Sequence, residues 1–365
     1  MTVATGTPST PGEALRRRLG VHLVDADNHY YEPADAFTRH LSEAFTAQRP
    51  IRWVTDERGQ TRLLVAGRLY RRIVNPTFDP IAKPGFLTEM FRNQGVSDYA
   101  RTGEDLEPLR TEYQDRDARL RVMDDAGVDK IWLFPTLAVN VEQIVRDDVP
   151  LTCALLAAFN RWLDDDWGFA HRQRLYAAPL LSLADVDFAV RELEWAIERG
   201  ARLVHLRPCP VPGGVRGRSL ADPEFDPFWA RVNEAGVTIV MHSSDTGMFE
   251  RSAQWGELAD PPTHLTSRFQ LVLREGREAY EAVADVLLHG LFERFPRVRV
   301  VSVEMGSQWC VPLLHNLKKV RYRSERGRTC ADPVELFQRH VFVEPYPEED
   351  LAATVDLLGA SQVVF

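Results

Sequence analysis

Short apolar segments alternate with helical segments along most of this chain, and this alternation restricts the fold more than any other feature. From Val21 onward the sequence predicts eight strands separated by helices. Short runs rich in Val, Ile and Leu between helical patterns are typical of a parallel sheet covered by helices. Eight such units, within the α/β class, favour a closed (β/α)8 TIM barrel over an open doubly wound sheet. The chain contains no glycine-rich nucleotide-binding motif that would support the open sheet.

The predicted elements follow one another in a regular order. The predicted strands are one from Val21 to His29, and 128–134, 175–181, 203–206, 237–241, 298–303, 341–343 and 362–365. The predicted helices are 34–41, 117–126, 151–167, 186–198, 226–235, 278–292, 312–322, 333–338 and 348–358. Four of these helices have a glycine at or near the end, as expected where a helix terminates in a left-handed residue.

Residues 21–365 are predicted to form a single domain that carries one insertion. The insertion, 42–114, interrupts the alternation after the first strand, and much of it lacks a clear period. Inside it, 51–55 and 61–70 flank a turn and predict a β-hairpin. Residues 1–20 are predicted to be a disordered lead-in, because their small and polar residues offer little apolar surface to bury.

Charge and cysteine usage exclude several classes of partner. The 365 residues carry a net charge of −9, and the densest basic run is only three arginines long. We therefore expect no nucleic-acid partner and no membrane surface. The four cysteines are far apart and form no C-x-x-C pair, which excludes a disulfide framework and a thiolate zinc site. Reduced cysteines, together with the lack of a signal-peptide pattern or membrane-span run, predict a cytoplasmic protein.

Ionisable residues recur at the ends of the predicted strands. These residues are Asp27 and His29 on strand one, His205 and Arg207 on strand four, His242 on strand five, Glu304 on strand six and Glu344 on strand seven. The active sites of barrels lie at the C-terminal ends of their strands, so we expect these side chains to approach one another. Because buried charges are costly unless they are paired or bound to metal, this convergence predicts a divalent-metal site.

Each of these positions also has an ordinary structural explanation. A packed histidine is the more frequent role for a residue such as His205, and an exposed loop carboxylate is the more frequent role for a residue such as Glu344. Arg207 suits either a structural ion pair or the binding of a substrate carboxylate, since its planar guanidinium fits both. Asp245 lies in a long loop, 243–263, that is expected to cover the mouth of the site. Trp309 is a candidate for an apolar substrate wall, although isolated aromatic residues are more often part of the core.

Several motifs, taken in this order, are shared with a known family. They are 25–33 (Asp-Ala-Asp-Asn-His-Tyr-Tyr-Glu-Pro), 119–128 (Arg-Leu-Arg-Val-Met-Asp-Asp-Ala-Gly-Val), 160–163 (Asn-Arg-Trp-Leu), 206–208 (Leu-Arg-Pro), 226–229 (Asp-Pro-Phe-Trp), 240–242 (Val-Met-His) and 295–300 (Phe-Pro-Arg-Val-Arg-Val). With them the chain resembles the amidohydrolase superfamily, in the group that includes aminocarboxymuconate-semialdehyde decarboxylase and the resorcylate-type decarboxylases. The resemblance spans 21–365.

The resemblance implies a distorted barrel with one divalent metal at its mouth, zinc in preference to manganese. By this likeness Asp27 and His29 stand for the first-strand ligand pair, and His242 for the fifth-strand ligand and a catalytic group. Glu304 occupies the place of a proton-handling histidine, which makes it a catalytic candidate and a fourth candidate ligand. The family's eighth strand leads into Gly-Ser-Asp-x-Pro-His, and the chain stops at Phe365 before such a segment. By this likeness, the barrel is expected to have a further C-terminal part that this sequence does not include.

These features predict an enzyme that hydrolyses a small amide, ester or lactone with metal-activated water. Glu304 in place of the decarboxylase histidine favours hydrolysis, since a carboxylate suits water activation. Three alternatives stay open: decarboxylation of a small aromatic or unsaturated carboxylic acid, metal-assisted dehydrative ring closure, and a metal-free pseudoenzyme or binding protein. The expected partners are a small-molecule substrate, with predicted contacts to Arg207, His205, Trp309 and Asp245, and further copies of the chain in a homodimer or homotetramer.

Overall fold

Parallel strands alternate with helices in the computed structural model, which confirms the α/β class. The structure describes residues 10–73, 75–85, 106–213, 217–258, 267–274, 276–323 and 331–365. The strands are β1 (Val24–Tyr30), β2 (Ile51–Thr55), β3 (Thr61–Val65), β4 (Arg68–Leu69), β5 (Ile81–Ala82), β6 (Leu106–Glu107), β7 (Lys130–Pro135), β8 (Leu175–Ala177), β9 (Leu180–Leu181), β10 (Leu203–Leu206), β11 (Thr238–His242), β12 (Arg299–Val303) and β13 (Val341–Val343).

The helices cover the parallel strands and connect them. They are α1 (Pro11–Leu19), α2 (Glu43–Thr46), α3 (Arg116–Ala126), α4 (Val141–Val145), α5 (Val149–Asp166), α6 (Val186–Glu198), α7 (Asp226–Ala235), α8 (Met248–Ala253), α9 (Arg268–Arg274), α10 (Arg277–Leu288), α11 (Leu291–Arg294), α12 (Cys310–Arg323), α13 (Pro333–His340) and α14 (Leu351–Leu358). Among the described residues, no helix combines the length and apolar character needed to cross a bilayer.

The parallel strands form two sheets, ordered β1-β7-β8 and β13-β12-β11-β10-β9. Only Ala178 and Pro179 separate β8 from β9, so the strand predicted over 175–181 runs from one sheet into the other. The amide of Ala178 donates to Leu133 on one side, and the carbonyl of Pro179 accepts from His205 on the other, at 3.0 and 2.9 Å. Proline lacks the amide that would continue the ladder, which accounts for the interruption.

The last three residues lie between the other two edges of these sheets. The amide of Val364 donates to the carbonyl of Val343 at the end of β13, with a distance of 3.0 Å. The carbonyl of Phe365 accepts from the amide of Ala26 in β1 at 2.8 Å. Residues 363–365, part of the predicted eighth strand, therefore hydrogen-bond to both β13 and β1, although only one bridge pair, Val343 with Val363, is regular.

Aspartate caps and left-handed residues explain where several helices begin and end. The side chain of Asp115 accepts a hydrogen bond from the amide of Ala118 at the start of α3, and equivalent caps begin α5, α6, α13 and α14. Such a cap satisfies one of the amides that lack a partner in the first turn. Gly127, with φ +78°, ends α3 where the sequence predicted.

Four predicted elements differ in the structure. Residues 34–40 form turns rather than the helix predicted over 34–41. The helix predicted over 278–292 is divided into α10 and α11, because Gly290 has a left-handed φ of +74°. The second hairpin strand, predicted over 61–70, is divided into β3 and β4, and β2 pairs antiparallel with β3. The lead-in predicted to be disordered contains α1, which Arg16 connects to Asp129 through a 2.7 Å ion pair.

The buried core lies between the strands and the surrounding helices. A small cluster occupies the space among the strands themselves: Phe134, Ala178, Leu203, Val240, Val301 and Val303. A larger cluster behind β1 and β7 includes Tyr30, Phe159 and Trp162, all buried. These layers hold the C-terminal ends of β1, β11 and β12 in fixed relation to one another, and the candidate site lies at those ends.

Candidate metal centre

Three predicted ligands, Asp27, His29 and His242, converge at the C-terminal ends of β1 and β11. Nε2 of His242 lies 3.3 Å from Oδ1 of Asp27 and 3.1 Å from Nε2 of His29. Nε2 of His29 lies 3.4 Å from the same aspartate oxygen. The ligand atoms of all three residues lie within 4.8 Å of one another. One carboxylate and two imidazoles in this arrangement form a donor set typical of a divalent metal.

The local structure of β1 directs Asp27 and His29 to the same point. Residues two apart on a strand point to the same side, as the sequence predicted for this pair. The pairing of β1 with β7 shifts register between Asp25 and Asn28. The Asp25 carboxylate stabilises this irregularity, since it accepts from the amide of Asp27 at 2.9 Å and from the side chain of Asn28 at 2.8 Å.

The outer ring nitrogens of both histidines are hydrogen-bonded, and these bonds determine which nitrogen is left for a metal. Nδ1 of His242 lies 2.8 Å from the carbonyl oxygen of Ser243, which can only accept, so this nitrogen carries the proton. Nδ1 of His29 lies 3.3 Å from Oγ1 of Thr136, whose hydroxyl donates to the carbonyl of Tyr30 at 3.0 Å. With both Nδ1 atoms donating, the two Nε2 lone pairs face each other, and a divalent cation fits between them.

Electrostatics favour a cation at this point. Burial of His242 disfavours its charged form, but the hydrogen bond with Asp27 and the charge of Glu304 outweigh burial and raise the histidine pKa to about 9. Burial likewise works against ionisation of Asp27, yet hydrogen bonds with His242 and His29 hold its pKa well below the usual range. Without metal, His242 therefore keeps its proton up to about pH 9, and a divalent cation competes with that proton for the same nitrogen.

Glu304, the residue after β12, brings a second carboxylate to the centre. Its Oε2 lies 3.4 Å from Nε2 of His242, and 47% of its side chain is exposed. Glu304 is not among the three residues whose ligand atoms converge. Glu344, at the end of β13, accepts a 2.8 Å hydrogen bond from the Glu304 amide. Burial of Glu344, together with the charge of Asp27, raises its pKa to about 8.

A cavity of about 180 Å³ opens directly onto the metal centre. It is lined by His29, Arg72, Ile73, Pro135, Thr136, Val139, Asn140, His242, Ser243, Ser244, Asp245, Thr246, Met248, Phe249, Gln270, Glu278 and Glu304. Arg72 comes from the insertion; its Nε donates to Oδ2 of Asp245 at 2.8 Å, and its guanidinium lies 3.7 Å from the ring centre of Phe249. The insertion therefore forms one wall of the cavity.

Of the four residues predicted to contact a substrate, only Asp245 lines this cavity, and its carboxylate is paired with Arg72. Arg207 is buried, 3.5 Å from Glu142, and donates to Gln143, as in the structural alternative for this residue. His205 lies beneath the centre with its ring 6.5 Å from that of His242; burial lowers its pKa to about 3, so it is neutral. Trp309 is buried and donates to the carbonyl of Gly306 at 2.8 Å.

Several residues that line the cavity were missed by the sequence analysis. Arg72 belongs to an insertion without periodicity, so no pattern connects it to Asp245. Thr136 directly follows β7, and this position at a strand end was the available signal. A metal-binding histidine usually donates its second ring nitrogen to a nearby acceptor, and the Thr136 hydroxyl is such an acceptor for His29. Gln270 lies on α9, a helix that was not predicted, whereas Glu278 lies in the first turn of α10, within the helix predicted over 278–292.

Comparison with known proteins places these observations in a family. The amidohydrolase family model matches residues 24–365, so the chain belongs to the amidohydrolase family. An amidohydrolase from Mycobacterium avium subsp. paratuberculosis K-10 is 38% identical, with a TM-score of 0.86 over 94% of this chain and 87% of the other. The resemblance inferred from the motifs is confirmed, and with it the conclusion that the protein is an enzyme of the amidohydrolase superfamily.

More distant structures share the fold. The 5-carboxyvanillate decarboxylase from Sphingomonas paucimobilis is 17% identical, with a TM-score of 0.53 over 94% of this chain and 87% of that one. The 5-carboxyvanillate decarboxylase from Novosphingobium aromaticivorans DSM 12444, complexed with manganese and 4-hydroxy-3-methoxy-5-nitrobenzoic acid, is 16% identical, with a TM-score of 0.53 over 94% and 85% of the two chains. These likenesses establish the TIM-barrel type of fold.

Proposed function

We propose that this enzyme is a divalent-metal-dependent carboxy-lyase that removes carbon dioxide from a small aromatic or unsaturated carboxylic acid. The observation that carries the proposal is the carboxylate of Glu304 beside the Asp27, His29 and His242 trio, at the end of a small cavity, where a carboxylate suits protonation of a substrate carbon as well as activation of water. The fold shared with decarboxylases of aromatic acids supports this reaction over the hydrolysis preferred from the sequence. We also infer that residues 363–365 complete a (β/α)8 barrel between β13 and β1, with 42–114 as an insertion over its mouth.

Asp27, His29 and His242 would hold the metal. The donor set includes a carboxylate as well as imidazoles, and manganese accepts both. Manganese in a structure that shares the fold leads us to place it ahead of the zinc expected from the sequence, with zinc as the alternative. When bound, the metal supplies a Lewis acid that polarises substrate oxygens beside it.

Glu304 is proposed as the proton donor of the reaction. The bond between the ring or vinyl carbon and the carboxylate breaks, and its electron pair stays on that carbon. The Glu304 carboxyl delivers a proton to the same carbon, and carbon dioxide leaves. Because almost half of the Glu304 side chain is exposed, water restores the proton after each turnover.

The cavity walls suit a compact, mainly apolar substrate. Met248, Phe249 and Ile73 provide apolar surface, while Asn140 and Gln270 offer amide groups for ring substituents. The positive charge of Arg72 is already paired with Asp245. A single aromatic ring with one carboxylate is therefore a better match than a substrate with several carboxylates far from the metal.

Two isotopes distinguish decarboxylation from hydrolysis in one experiment. Protein loaded with manganese, and in parallel with zinc, is incubated with hydroxylated benzoic acids and with amides, esters and lactones, in D2O or in H2¹⁸O. Decarboxylation gives carbon dioxide and a product with one deuterium at the carbon that lost it. Product carrying ¹⁸O, without release of carbon dioxide, would overturn the proposal in favour of hydrolysis, and loss of water with ring formation would favour cyclisation.

We further propose that the enzyme acts as a homodimer or homotetramer on a small-molecule substrate, without nucleic-acid or membrane partners. Light scattering coupled to gel filtration measures the mass of the assembly directly. A mass equal to one chain across the working concentration range would contradict the oligomer.

A further inference from the structure

Glu304 has an unusual backbone conformation that its own side chain does not explain. Its φ is +54°, in the left-handed region that residues other than glycine rarely adopt. A strand that continued past Val303 would alternate its side chains, and a left-handed residue at 304 breaks this alternation. Such a conformation costs free energy and persists only where neighbouring groups impose it, often at functional sites.

Two side chains from the loop after β13 take both backbone polar groups of Glu304. The Glu304 amide donates to Oε2 of Glu344 at 2.8 Å, and the hydroxyl of Tyr346 donates to the Glu304 carbonyl at 3.0 Å. Glu344 is half-buried, and both residues follow a strand that pairs with β12. A peptide unit held from both sides cannot easily rotate back to an extended conformation.

The rest of the β12 turn, which we define as residues 304–309, is held from the same direction. A Cβ on Gly306, whose φ is +63°, would lie 2.8 Å from the ring of Tyr346, so the turn packs directly against that ring. The amide of Ser307 donates to Glu349 at 2.9 Å, and Trp309 closes the turn through its bond to the Gly306 carbonyl. The conformation of Glu304 is thus determined by tertiary contacts.

We propose that Glu344 and Tyr346 are positioning residues, which hold Glu304 in its left-handed conformation and so direct its carboxylate toward Nε2 of His242. The inference deepens the proposed function and rests on it for the role of Glu304 in proton transfer. The placement of Glu304 itself rests only on the contacts of the β12 turn.

The first test needs no activity and compares glycine with alanine at the strained position. Glu304→Gly and Glu304→Ala both remove the carboxylate, but only glycine adopts a positive φ without strain. We expect Glu304→Gly to melt about 1–3 °C higher than Glu304→Ala. We also expect Glu344→Ala to lower the melting temperature less in the Glu304→Gly background than in the wild type. Equal melting temperatures for the glycine and alanine variants would overturn the claim that the backbone is held under strain.

The second test separates positioning from a general structural role. Tyr346→Phe and Glu344→Ala are expected to lower kcat of the manganese-loaded enzyme about tenfold or more, with KM and metal content unchanged. Glu344→Gln, which keeps an oxygen for the Glu304 amide, should recover most of the loss. Tyr176→Phe is the matched control, because Tyr176 also donates to a backbone carbonyl, that of Gln173, and does not line the cavity.

Double variants test whether Glu344 and Tyr346 act on the reaction through Glu304. If Glu344 and Tyr346 act through it, neither substitution lowers the residual rate further in a Glu304→Gln background. Additive losses would overturn the positioning role. If the wild type decarboxylates no substrate tested, the proposed function fails, but the melting-temperature comparison still decides whether the turn is held as described.

Discussion

Nε2 of His29 and Nε2 of His242 face each other at 3.1 Å, although the other nitrogen of each ring has its own hydrogen-bond partner. Two lone pairs at this distance repel each other unless a cation lies between them. In the absence of metal a proton on His242 fills this role; burial of His242 opposes that proton, but the hydrogen bond with Asp27 and the charge of Glu304 raise the histidine pKa to about 9. The geometry therefore describes a site at which a metal and a proton compete, and this competition leads to the first two predictions.

The first prediction concerns the metal and the hydroxyl that orients His29. Wild-type protein should bind about one manganese or zinc per chain, and the double variant Asp27→Ala/His29→Ala should bind none. Thr136→Val should weaken binding about 10- to 100-fold, because His29 loses the acceptor that keeps its proton on Nδ1. Elemental analysis and titration calorimetry measure both effects.

Thr46→Val serves as a control, since Thr46 hydrogen-bonds backbone carbonyls away from the site. Unchanged affinity in Thr136→Val would contradict the assignment of the tautomer.

The second prediction is a dependence of metal affinity on pH. Below a pKa of about 9 the metal-free protein carries a proton on His242, and a metal must displace it. Affinity should therefore rise about tenfold per pH unit from pH 6 to 8 and level off near pH 9, with about one proton released per metal bound. Asp27, with its lowered pKa, stays ionised throughout this range and adds no slope. Calorimetry in buffers of different ionisation enthalpy counts the protons; an affinity that does not change with pH would contradict the competition.

Sequence patterns predicted the elements of this site that depend on strand periodicity. Asp27 and His29 share a side because strands alternate, and His242 follows an apolar run whose short length and β-branched residues are typical of a buried strand. His205 and Arg207 also lie at a strand end, but their side chains are buried beside the site rather than in the cavity. The sequence pattern identifies where a strand ends. Whether a side chain at that end is buried or reaches the cavity depends on the residues that pack around it.

Contacts between distant segments were beyond the reach of periodicity. The bond between Arg72 and Asp245 spans 173 positions and begins in an insertion without a regular pattern. The composition of the first residues led to helix α1 being predicted as a disordered tail. Its packing depends on contacts with distant residues, such as the ion pair between Arg16 and Asp129, which composition does not reveal. The break between α10 and α11 could have been read from Gly290, a glycine inside a helical pattern.

The third prediction concerns the ion pair that connects the insertion to the site. The Asp245 side chain is almost fully buried, with 2% exposed, while 20% of the Arg72 side chain is exposed. Arg72→Met would leave a buried carboxylate whose one remaining partner among the described residues is the Gly247 amide, and should lower the free energy of unfolding by about 3 kcal/mol. Asp245→Asn should cost less, about 1 kcal/mol, because Arg72 can turn toward water. Urea unfolding measures both; a greater loss for Asp245→Asn would contradict this asymmetry.

The fourth prediction separates the two roles that the sequence suggested for Glu304. As a proton donor outside the converging trio, Glu304 should be dispensable for the metal, so Glu304→Gln should keep its metal and lose about 10²–10⁴ in kcat. If Glu304 were instead a metal ligand, Glu304→Gln would lose its metal to the same degree as His242→Ala. Elemental analysis beside single-turnover rates decides between these results. Glu250→Gln is the matched control, since Glu250 is equally exposed at 48% and pairs with Arg146 rather than with the metal centre. An active Glu304→Gln enzyme would require a different proton source.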